Sequence, residues 1–82
     1  MYKKRSDLCL NSKFKTANGD FVVVGVNFKD GERIGLTIIA ATNWKQYAAG
    51  KTRGVFKSDV DLLKAEQEDR LVYLGDFNPS RY

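Results

Sequence analysis

Between Trp44 and Lys57 the chain places Lys45, Lys51, Arg53 and Lys57 without a single acidic residue, and sets Trp44 and Tyr47 among them. Phosphates select positive charge and base faces stack on aromatic rings, so this mixture is what single-stranded nucleic-acid binding requires. Lys13, Lys15 and Arg33 add basic side chains on predicted strands, and Lys3, Lys4 and Arg5 add three more near the amino terminus. A structural role competes with this reading: Trp44 and Tyr47 can serve as lids on a core while the lysines keep the chain in solution.

Acid–base and metal chemistry have little to work with. The 82 residues contain no histidine and a single cysteine, Cys9. No phosphate-binding glycine loop, paired-cysteine motif or acidic calcium loop is present. The carboxylates fall in two groups, Asp59 with Asp61 and Glu66 with Glu68 and Asp69, where a solvated helix ordinarily carries acids. A non-enzymatic protein without a cofactor is expected. Cys9, between Leu8 and Leu10, is expected to pack.

The elements that must hold the basic stretch begin with two glycine-bearing turns, Ala17-Asn18-Gly19 and Lys29-Asp30-Gly31, on either side of Phe21-Val22-Val23-Val24-Gly25-Val26-Asn27-Phe28. They predict a three-stranded antiparallel meander from about Lys13 to Ala40. A one-residue change of loop length moves every side chain to the other face. With three-residue loops, Phe14, Val22, Val24, Val26, Phe28, Ile34, Leu36 and Ile38 share one apolar face. Lys13, Lys15 and Arg33 then lie on the other with Phe21 and Thr37, and Gly25 falls opposite Gly35, a pairing that marks strong coiling of a sheet closing into a small barrel or, alternatively, the floor of a groove.

After the meander, Thr42 to Gly50 predicts one or two helical turns with a cap at the start and glycine at the end. Val55-Phe56-Lys57 predicts a short strand. Ser58-Asp59-Val60-Asp61 predicts a second helix start, and Arg70 to Leu74 a closing strand followed by a turn at Gly75-Asp76. The order is α+β, β-rich: a three-stranded antiparallel meander plus a closing strand and one or two short helices, as in a small SH3-like or OB-like barrel.

Three parts follow: a basic arm over 1–7, a single β-rich domain over 8–77 and a tail over 78–82. Residues 1–57 carry eleven basic against four acidic side chains and residues 58–82 three against six, an imbalance that suggests a polyanion-facing side. No apolar run approaches the roughly 20 residues of a membrane span, and no signal-like stretch follows the first residues, so a cytoplasmic or otherwise intracellular protein is expected. Nucleic acid is the expected partner. The alternative is a protein-interaction module, an inhibitor or a self-assembling factor, anchored by Tyr2, Trp44 and Tyr82 or joined by strand addition at open sheet edges.

Overall fold

In the computed structural model, which describes residues 8–78, Asp30 and Gly31 both adopt left-handed φ, 52° and 81°. Two successive positive φ values make a two-residue hairpin loop whose twist matches that of its strands. It joins β2 (Gly19–Lys29) to β3 (Glu32–Ala40) with Lys29 opposite Glu32. Ala17-Asn18 forms a second two-residue loop, joining β1 (Ser12–Thr16) to β2 with Thr16 opposite Gly19. Both loops are one residue shorter than expected, so Phe14 lies opposite Phe21 rather than Val22.

That slip alone would turn the apolar set outward, and two β-bulges reverse it where it matters. On β3 the extra residue is Ile34, between the Phe28–Arg33 and Asn27–Gly35 pairs; on β2 it is Val24, between Gly25–Thr37 and Val23–Ile38. Phe14, Val26, Leu36 and Ile38 therefore reach the anticipated core, with Val23 in the place expected for Val22. Val22 and Val24 pack on the opposite face, and Phe28 and Ile34 are exposed. Gly25 now faces Thr37 and Gly35 faces Asn27, so the paired-glycine floor does not form.

β4 (Val55–Ser58) pairs with β3 and β5 (Val72–Asp76) with β1, giving one antiparallel sheet in the order β4-β3-β2-β1-β5. β5 runs through Gly75-Asp76, the expected turn. A bulge at Leu74, next to Gly75 at φ 92°, absorbs the irregularity opposite Lys13 and Phe14. β4 and β5 stand at opposite edges and do not pair, so the sheet is not closed and barrel closure is not observed.

Helices cover both faces. α2 (Asp59–Gln67) lies on the first face, where Leu62, Leu8 and Leu71 meet Phe14, Val23, Leu36 and Ile38. Its start is capped as expected: the Ser58 hydroxyl accepts from the Asp61 N–H at 3.1 Å. On the second face a 3-10 turn, Ala41–Asn43, leads into α1 (Trp44–Ala48). Trp44 and Tyr47 of α1 cover Val22, Ile39, Ala41 and Phe77. The cap expected from Thr42 or Asn43 is not made by a side chain; packing holds this single turn in place.

Both helices end in the same Schellman motif. The N–H groups of Gly50 and Lys51 donate to the carbonyls of Tyr47 and Gln46, and those of Asp69 and Arg70 to Glu66 and Ala65. Cys9 is exposed rather than packed; its N–H donates to Ser12 Oγ at 3.0 Å while the neighbouring Leu8 fills the core. Among the described residues no helix is long and apolar enough to cross a membrane.

Candidate nucleic-acid interface

Alternation from the buried Phe14 sends Lys13 and Lys15 to the second face. Lys13 lies in a cross-strand row with Val22 and Ile39, and its Nζ is 3.7 Å from Asp20, a long ion pair on the same face. Lys45 is exposed on α1, which sits on this face through Trp44 and Tyr47. Lys51 and Arg53 are exposed on the connection that follows.

That connection is pressed flat onto the sheet at Gly54, where an added Cβ would overlap the Thr37 side chain and come within 3.3 Å of Val24. Only glycine lets the backbone approach so closely. The contact pins the segment carrying Lys51 and Arg53 above the second face.

Trp44 and Tyr47 are half-buried. Their rings lie 5.9 Å apart, and Trp44 meets Phe77 edge-on at 5.1 Å. One side of each is spent on the second core, so they combine the lid role with a partly accessible rim. Phe56, absent from the set expected from sequence, is opposite Thr37 on the second face and 49% exposed. An added Cβ on Gly35 would stand 2.7 Å from the Phe56 ring and would overlap the Lys57 carbonyl. Gly35 is the signal that could have revealed it: the ring covers the strand where a side chain is missing. Beside it, Asn27 Nδ2 donates to Thr37 Oγ1 at 2.9 Å.

Arg33 does not join this surface. It projects to the first face, where its Nε donates to Asp59 Oδ1 at 3.1 Å and Nη1 to the Leu8 carbonyl at 2.7 Å, with side-chain exposures of 13% and 9% for the ion pair. Its charge is spent tying β3 to the start of α2. Phe21 also moves to the first face, stacked on Phe14 at 5.8 Å and 26°. Lys3, Lys4 and Arg5, with Tyr2 and Tyr82, lie outside the described residues.

The first face has a concavity of its own, about 780 Å³ between α2, β4 and the first hairpin. Phe14, Phe21 and Ile38 line it, with Lys57, Lys64 and Glu68 among the charged side chains around it. Mixed signs there select no ligand charge. No protein-family model matches the chain, and no curated protein or solved structure does.

Proposed function

We propose that the second face binds single-stranded nucleic acid without catalysis, inside the cell, using Lys13, Lys15, Lys45, Lys51 and Arg53 against phosphates and the exposed sides of Phe56, Trp44 and Tyr47 against bases. The separation of charge between the two faces carries this reading. The second-face elements bring those five cations together with one acid, Asp20, whereas residues 59–69, α2 and its end, hold five acids and one lysine. A polyanion is drawn to the side where cations outnumber acids. Phe56 adds the accessible ring that the half-buried Trp44 and Tyr47 supply only in part.

Titration against single- and double-stranded oligonucleotides at several salt concentrations tests the reading. Affinity should fall linearly with the logarithm of salt, and Lys51→Ala with Arg53→Ala should flatten the slope by about 0.7 for each phosphate no longer neutralised. Binding that is absent at low salt, or indifferent to salt, would overturn it.

A further inference from the structure

Two glycines thin out the middle of the second face. Gly25 lies opposite Thr37 and Gly35 opposite Asn27, while Thr37 lies opposite Phe56 on its other side. Alternation puts all of them on this face, because Val26 and Leu36, the residues between them, pack in the first core. An added Cβ at Gly25 would meet only Thr37, at an ordinary contact distance of 3.5 Å, so the space above it is open. The Phe56 ring lies over Gly35, the residue paired with Asn27. Ring and amide therefore border one shallow platform.

Asn27 and Thr37 are half-buried and bonded to each other, Nδ2 to Oγ1 at 2.9 Å. Neither side chain makes another hydrogen bond among the described residues. A primary amide carries two N–H donors and a carbonyl acceptor, and a hydroxyl that accepts one bond still has its own proton to give. The pair thus presents three groups in order: Asn27 Oδ1 as acceptor, the second Asn27 N–H as donor and the Thr37 O–H as donor. The bond between them fixes which way the amide points, so the order does not reverse.

We infer that Asn27 and Thr37 read the Watson–Crick edge of one unstacked cytosine lying against Phe56. Single strands are read through the edges of bases splayed out of the stack, with an aromatic ring against the base face. Cytosine offers a donor at N4 and acceptors at N3 and O2, in line, which is the complement of acceptor, donor, donor. Adenine offers a donor and an acceptor and then a C–H. Along the same edge guanine and thymine or uracil satisfy two of the three groups in any alignment, and only cytosine satisfies all three.

The inference rests on the nucleic-acid reading of the second face and adds the base that the face prefers. Lys51, Arg53 and the other cations hold phosphates of any sequence, and the Asn27 and Thr37 pair discriminates. A cross-strand bond that only braced the sheet would affect melting and leave base preference untouched.

Fluorescence anisotropy of the full chain against oligo-dC, oligo-dA and oligo-dT of equal length, at neutral pH and low salt, reads that preference. The wild type is expected to bind oligo-dC about fivefold more tightly than either of the others, the effect of one additional hydrogen bond. The same ranking should hold for oligo-rC against oligo-rA and oligo-rU, and the tighter series identifies the sugar. Thr37→Val keeps the side-chain shape, removes the hydroxyl and should bring the three affinities within about twofold; Asn27→Ala should do the same. The salt slope should persist in both variants, because the phosphate contacts lie elsewhere. Thermal melts confirm that each is folded. Salt-dependent binding with equal affinity for the three bases in both series, or a preference that survives both substitutions, would overturn the cytosine assignment and leave the nucleic-acid reading standing. Failure to bind any of these oligonucleotides at low salt would overturn both.

Discussion

The two faces of the sheet treat positive charge in opposite ways. On the first, Arg33 is drawn under α2 and neutralised by Asp59, itself nearly buried, so the guanidinium becomes part of the packing. On the second, Lys45, Lys51 and Arg53 stay in water on a one-turn helix and the connection behind it. The cores differ in step: seven buried residues gather beneath α2 and four beneath Trp44 and Tyr47. Stability is concentrated on one face, and the other is left free to carry exposed charge and ring edges.

The largest test of that division is Asp59→Ala. Removing one partner of a nearly buried pair strands the other, and a loss of about 3 kcal/mol in urea denaturation is expected. A loss under about 1 kcal/mol would mean that Arg33 is as well served by water, and the contrast between the faces would lapse. Trp44→Ala should cost about 2 kcal/mol, less than the 3–5 typical of a fully buried aromatic, because one side of the ring is already wet. Hydrogen exchange should show the damage confined to the 3-10 turn, α1 and the second core, with amides under α2 still protected.

The smallest effect compares the two helix ends. Both motifs need a left-handed residue, and α1 supplies Gly50 at φ 74° where α2 supplies Asp69 at φ 57°. Asp69→Gly should therefore stabilise by about 0.5–1 kcal/mol and Gly50→Asp should cost a similar amount, both read from thermal melts. Equal and opposite shifts would show that the two helices are closed by the same backbone demand.

Much of the element order was legible: the meander, the glycine after α1, the Ser58 cap and the strand at Val55 all stand where local chemistry puts them. The faces were harder to read. Phe21-Val22-Val23-Val24 offers an apolar side chain at either parity, as a strand covered on both sides does, so alternation could not choose the register. The Asp30-Gly31 loop length was open to either reading, and the two bulges lie in residues that are ordinary strand formers. Among the basic residues, Lys45, Lys51 and Arg53 were exposed as their local sequence implies. Arg33 was not, because its partner Asp59 comes from an element 26 residues away. Phe56 was hidden in a short strand, and only the missing side chain at Gly35 marked the place it covers.

Val24 and Ile34 sit on opposite strands of one hairpin, and each adds one residue to its own side. Deleting both residues would leave Val23–Ile38, Gly25–Thr37, Val26–Leu36, Asn27–Gly35 and Phe28–Arg33 as successive rungs of a regular ladder, with the turn and the far end still aligned. Deleting either one alone would make the ladder regular at that point and leave the rungs on both sides paired as they are, with the other bulge still in place. Across changes in chain length, this hairpin can gain or shed a residue at either bulge without moving the paired side chains between faces.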